Sequence, residues 1–68
     1  MEFTLRGEFI ELDNLLKVLS LVGNGAEARQ CIQAGLIKVN GEAELRVRRK
    51  LRAGDSVEFK ERKVSIKA

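Results

Sequence analysis

From Leu12 onward the spacing of apolar side chains changes once, from the helical period to the two-residue period of strands. That change restricts this part of the chain to helices first and sheet after. Leu12, Leu15, Leu16, Leu19 and Val22 follow the i, i+3, i+4, i+7 pattern, and Val18 widens the stripe. The spacing predicts a first helix over about residues 12–22, with Asp13 and Asn14 near its start to offset unpaired amides. Gly23-Asn24-Gly25 breaks it. Asn24 then caps a second helix, with Glu27 three residues on in the manner of a capping box. Ala28, Cys31, Ile32 and Leu36 supply its buried stripe, and Gly35 suits the C′ position. So few residues join the helices that they must form a hairpin.

The remainder alternates. Phe3 and Leu5 predict a short strand over residues 2–6, ended by Gly7. Ile37 and Val39 run into Asn40-Gly41, a pair suited to the positive φ angles of a tight hairpin. Leu45, Val47 and Leu51 alternate with Glu44, Arg46, Arg48, Lys50 and Arg52, which predicts a strand with one apolar and one cationic face. Arg49 interrupts the apolar side and marks a bulge or the strand end. After the turn Ala53-Gly54-Asp55, Val57 and Phe59 pair with Val64 and Ile66 across a charged tip at Glu61-Arg62-Lys63. The expectation is an α+β fold: a two-helix hairpin packed on a small, mostly antiparallel β-sheet, as a single domain over residues 1–68.

Composition narrows the chemistry. There is no histidine and one cysteine, Cys31. An internal disulfide and a Cys/His zinc site are therefore excluded, and Cys31 on the apolar stripe reads as a small core residue without a base to activate it. No metal, cofactor or catalytic residue is expected. No basic-then-apolar leader opens the chain and no apolar run approaches the roughly 20 residues of a membrane span. The expected protein is soluble, cytoplasmic and away from membranes, with no feature demanding a dimer. Its three aromatics, Phe3, Phe9 and Phe59, argue against a partner held mainly on an aromatic stacking platform.

Charge points to the partner. Residues 1–34 carry a balance of −2 and residues 35–68 one of +5, which together give the net +3. Arg46-Val47-Arg48-Arg49-Lys50-Leu51-Arg52 places five cations in seven residues without an acid among them. Alternate side chains on a strand recur about every 6.6–7 Å, so Arg46, Arg48 and Lys50 could follow a phosphate backbone. A solvated strand face that resists edge pairing is the plainer alternative. The helix-two start, with its glycines and exposed Arg29, could accept a phosphate or be an ordinary capped start, and taken alone it favours the latter. Asn40 fits a turn better than a nucleic-acid contact.

Taken in order, Gly25-Ala26-Glu27-Ala28-Arg29-Gln30, Ile32, Gly35-Leu36-Ile37-Lys38-Val39-Asn40-Gly41 and the basic run to Asp55 resemble the S-four RNA-binding domain. That domain, also called the αL motif, is named after a small-subunit ribosomal protein. Phe9-Ile10-Glu11-Leu12 and Leu15-Leu16-Lys17 are similar to its compact, stand-alone branch, and the likeness spans about residues 9–66. The resemblance implies two helices on a small, mostly antiparallel sheet, with RNA over the helix-two start and the following loop and strand. It implies contacts from Lys17, Arg29, Lys38, Arg46, Arg48, Arg49 and Lys50. This chain has Asn24-Gly25 where family members often carry a Ser-Arg or Gly-Gly-type pair, which shifts weight onto the later ribbon. Relatives that join the module to pseudouridine synthases or tyrosyl-tRNA synthetases need a catalytic domain for which 68 residues leave no room.

The leading expectation is thus a non-catalytic protein that binds structured RNA, ribosomal or transfer-RNA-like, with weak sequence preference and a steep salt dependence. A helix-turn-helix DNA-binding protein is one alternative, weakened because the second helix offers only Arg29 as a cation. A ribosome-associated adaptor that docks an acidic protein is the other.

Overall fold

The structure, a computed structural model, describes Met1–Ala68. Helix α1 spans Leu12–Val18 and α2 spans Gly25–Gln33. The first is shorter than its apolar stripe. Ser20 adopts a left-handed φ of 57°, and the Leu21 and Ser20 amides donate to the Leu16 and Lys17 carbonyls, each at 3.0 Å. This is a Schellman-type stop with serine where glycine is usual. Val22 is still buried, but from the connection and not from the helix, while Val18 is 57% exposed. The 3.6-residue pattern therefore ran past the point where the chain reverses.

The second helix begins and ends as its residues predict. Asn24 Oδ1 accepts from the Glu27 amide at 2.9 Å, and Glu27 Oε1 accepts from the Gly23 amide at 3.2 Å. At the other end Gly35 has φ 77°, its amide donates to the Ile32 carbonyl, and the Leu36 amide donates to that of Cys31. Ala28 and Ile32 are fully buried and Cys31 is half-buried against the core. Leu36 is not part of that buried face: it is exposed beyond the helix end.

The strands are β1 Glu2–Thr4, β2 Ile10–Glu11, β3 Ile37–Val39, β4 Glu42–Ala43, β5 Lys50–Leu51, β6 Ser56–Phe59 and β7 Arg62–Lys67. Five form one sheet in the order β1-β7-β6-β3-β4, and β2 pairs with β5 in a separate two-stranded ribbon. All pairs are antiparallel except β1 with β7, where Phe3 faces Ile66 in parallel register. The turn of the β3–β4 hairpin is Asn40-Gly41, with φ 53° and 86°. The β6–β7 hairpin turns at Lys60-Glu61 with Phe59 opposite Arg62, one residue earlier than the expected tip, so Arg62 and Lys63 are strand residues.

Apolar faces of both layers meet in one core. Leu12, Leu15, Leu16, Ala28 and Ile32 come from the helices, and Ile37, Val39, Leu51, Val57, Phe59, Val64 and Ile66 from the strands. The architecture is a two-helix hairpin with a mostly antiparallel sheet, as expected for α+β. No helix is long and apolar enough to cross a membrane.

The predicted long basic strand is replaced by a loop. Residues 44–49 are irregular, with a turn at Val47-Arg48, and only Lys50–Leu51 pair as a strand. Leu45, placed by alternation on the apolar face, is 59% exposed, whereas Glu44, placed on the polar face, is buried. Leu51 alone of the three apolar residues is fully buried, and Val47 is intermediate. The Val47 and Arg49 carbonyls turn inward and accept from the Asp13 and Leu12 amides at 3.1 and 2.9 Å. These are the first amides of α1, whose N-cap residue Glu11 makes no side-chain cap bond. Orphan donors at a helix start need acceptors, and here the basic loop supplies them. Bending to do so is incompatible with an extended ladder.

Candidate nucleic-acid interface

The basic segment is fixed at three places. Leu51 anchors it in the core, its carbonyls cap α1, and Glu44 grips its arginines from below. Glu44 Oε2 accepts from Arg46 Nε at 2.9 Å and from the Arg46 amide at 3.1 Å. Its other oxygen accepts from Arg46 Nη2 at 3.1 Å and Arg49 Nη1 at 2.8 Å. The fork geometry of a guanidinium suits such a two-pronged contact with a carboxylate. The Arg46 hydrogen bond is the main cause that holds the Glu44 carboxyl down to about 2 from its ordinary 4.5; burial opposes the shift and the Arg49 bond adds to it. Glu44 is ionised at neutral pH.

Glu44 is thus a positioning residue that neutralises at most one of two guanidinium charges. The Arg46 side chain remains 73% exposed and that of Arg49 25%. Arg46, Arg48, Arg49, Lys50 and Arg52 together line an open concavity of about 480 Å³ with no apolar lining residue. Five cations around one depression, with one buried counter-charge, leave a strong field directed outward. Asp55 stands behind its rim. Burial raises the Asp55 pKa, but bonds from the Arg52 amide at 2.8 Å and from Asn40 Nδ2 at 3.0 Å, with the Arg49 and Arg52 charges, outweigh that and leave it lowered.

Of the seven side chains named from the resemblance, the structure gathers four: Arg46, Arg48, Arg49 and Lys50. Arg49, which the strand pattern treated as an interruption, is among them. Lys17 is exposed on α1 and extends toward the α2 start, its Nζ about 4.0 Å from where a Cβ on Gly25 would stand. Arg29 is exposed on α2, and Lys38 on β3 faces outward opposite Glu58 of β6. None of these three lines the concavity. Asn40 serves the turn: its Oδ1 accepts from the Ser56 amide at 2.9 Å while its amide group holds Asp55.

Arg52, part of the basic run in sequence but outside the positions the resemblance named, lines the same depression. Two further features of the site escaped the sequence reading. Glu44 read as one more outward residue, and its only signal was an isolated acid two residues before the run. Phe9 read as a leader to the first helix, but Lys50 Nζ lies 4.9 Å and the Arg52 guanidinium carbon 5.8 Å from its ring centroid. That contact depends on the β2–β5 pairing, which two-residue strands do not announce in sequence.

Comparison with known proteins agrees with this architecture. The family model described as "S4 domain" matches residues 3–67. The chain is 39% identical over 59 residues to "Putative RNA-binding protein YbcJ" of Escherichia coli (strain K12), covering 87% of this chain and 84% of that protein. It is equally similar to YbcJ of Shigella flexneri. The solution structure of YbcJ from E. coli, described as revealing an αL motif involved in RNA-binding, superposes with a TM-score of 0.74 at 37% identity. It covers 98% of this chain and 86% of that one. By sequence and by fold, the chain belongs to the S4 domain family.

Proposed function

We propose that the protein binds structured RNA, ribosomal or transfer-RNA-like, without catalysis, as a cytoplasmic one-domain monomer. The observation that carries this reading is the concavity lined by Arg46, Arg48, Arg49, Lys50 and Arg52. A surface made only of cations has phosphate as its natural complement, and the solution structure of the E. coli relative YbcJ is described as revealing an αL motif involved in RNA-binding. Lys17, Arg29 and Lys38 are secondary contacts in this reading, reached by an RNA long enough to extend beyond the depression. A guanidinium held in place by Glu44 loses less side-chain freedom when it meets a phosphate than a free one, so pre-positioning favours binding. Cations arranged by shape and charge, with few groups suited to base edges, read backbone geometry more than sequence.

A helix-turn-helix reading would put α2 in a DNA groove. Its exposed face carries Arg29 as its one cation, and the ribbon belongs to another element. Electrophoretic competition settles the question. A labelled RNA hairpin should be displaced by unlabelled structured RNA at far lower concentration than by duplex DNA of equal length. Equal displacement by the DNA would sink the RNA preference. Displacement by neither, together with pull-down of acidic proteins after nuclease treatment, would favour an adaptor.

A further inference from the structure

The residues around Phe9 form a second surface that the cationic depression does not explain. Register in the β2–β5 ribbon pairs Glu11 with Lys50 and Ile10 with Leu51, so one step further brings Phe9 opposite Arg52. Phe9 is 40% exposed, with the Lys50 and Arg52 cations against its ring. The same ring borders an open concavity shared with Phe3, Ile10, Asn14 and Val18. Val18 is also exposed, so two large apolar side chains stand partly open at this hollow, Phe9 with the two cations on its ring and the rest of its surface to solvent.

We infer that Phe9 is a stacking site for one unpaired nucleobase of the RNA, next to the phosphates held by Lys50 and Arg52. This rests on the RNA-binding reading and adds the kind of RNA: a helix interrupted by a bulged or looped-out nucleotide. Three observations favour a base over an apolar protein segment or a second copy of the chain. Lys50 and Arg52 line the cationic depression as well as touching the ring, so the two surfaces are continuous. A nucleotide brings a flat apolar face together with an anionic phosphate, whereas an apolar helix would desolvate two cations without compensation. Lastly, Asn14 borders the hollow with an amide that can both donate and accept, which suits the edge of a base. A single aromatic of this kind adds selectivity for an exposed base to a complex held mainly by charge.

The test compares two RNA hairpins of the same stem, one fully paired and one with a single bulged 2-aminopurine. The parent protein should bind the bulged hairpin at least about five-fold more tightly, and the probe's fluorescence should fall on binding as it stacks. Phe9→Leu keeps an apolar side chain, so it should remain folded by circular dichroism and should erase both effects. Its affinity for the paired hairpin is the baseline, so a general loss from releasing Lys50 and Arg52 is read apart from the ratio between the two hairpins, which should fall to about one. Phe9→Trp should restore both effects. If Phe9→Leu left the preference and the quenching unchanged, stacking at Phe9 would be refuted while RNA binding stood. A parent that binds neither hairpin overturns both readings. A dimer seen by sedimentation, and lost in Phe9→Leu, would assign the hollow to a second copy instead.

Discussion

Arg49 Nη1 donates to Glu44 Oε1 at 2.8 Å, across a loop whose remaining charge is entirely positive. A buried acid beneath a cationic surface costs net charge, and so weakens the long-range attraction of an anion. What it gives in return is geometry: the loop that bears the cations is bent by the same carboxylate that orders two of them. Fixed placement and attraction oppose one another here, and the structure favours placement.

Replacing that carboxylate tests its structural role. Glu44→Gln removes the charge but keeps the size, leaving Arg46 and Arg49 free to turn toward water. Because Arg46 is already largely solvated, we expect a loss of only about 1 kcal/mol, well below the cost of stranding a deeply buried charge. For a domain this small that lowers Tm by about 4–8 °C. The effect has a pH signature. A carboxyl held at about 2 when folded and near 4.5 when unfolded stabilises fully above 4.5 and loses that contribution as the pH falls toward 2. Urea unfolding between pH 7 and pH 3 should therefore show parent and Glu44→Gln converging in acid. A difference that stays constant across that range contradicts the assignment.

Asn40 separates turn geometry from side-chain bonding. Asn40→Gly tolerates the φ of 53° but removes the bonds to Asp55 and the Ser56 amide, while Asn40→Ala loses both advantages. The alanine variant should be the less stable by about 1 kcal/mol in chemical denaturation. Neither should change RNA affinity by more than about two-fold, since the side chain is spent inside the fold. A large affinity loss at unchanged stability would make Asn40 a contact residue.

Ser20 holds the left-handed position that ends α1, where glycine pays no steric penalty. Ser20→Gly should raise stability by about 0.5–1 kcal/mol, read as a higher urea midpoint. An unchanged or lower midpoint would mean that the Ser20 backbone is not strained.

The features legible in the sequence are those decided by neighbours in the chain. Asn24 with Glu27, Gly35 at its C′ position and Asn40-Gly41 each carry their own geometry, and the structure has all three. The β6–β7 hairpin was readable from its alternation to within one residue. What failed depends on contacts distant in sequence. The parallel pairing of β1 with β7 joins the two ends of the chain, and the β2–β5 ribbon joins Phe9 to Arg52. Residues 44–51 misled for a definite reason: Leu45, Val47 and Leu51 have the spacing of a strand. Yet the free amides at the start of α1 and the arginines bound by Glu44 outweigh that pattern and bend the loop. The composition of the basic run was legible, but its shape was not.

The most direct test is a salt titration of RNA binding by the triple charge reversal Arg46→Glu, Arg48→Glu, Lys50→Glu. Five cations line the depression, so the parent should show a slope of log K against log salt of roughly −3 to −4, about 0.9 for each phosphate neutralised less the share held by Glu44. Arg46→Glu sets a second carboxylate against Glu44 and lowers stability, so binding is compared at a temperature where circular dichroism shows the triple variant folded. There it should lose binding by at least about a hundred-fold at moderate salt and flatten the slope by about 2 or more. A folded triple variant that binds the same RNA with the parent's affinity and slope would contradict the claim that this surface holds RNA.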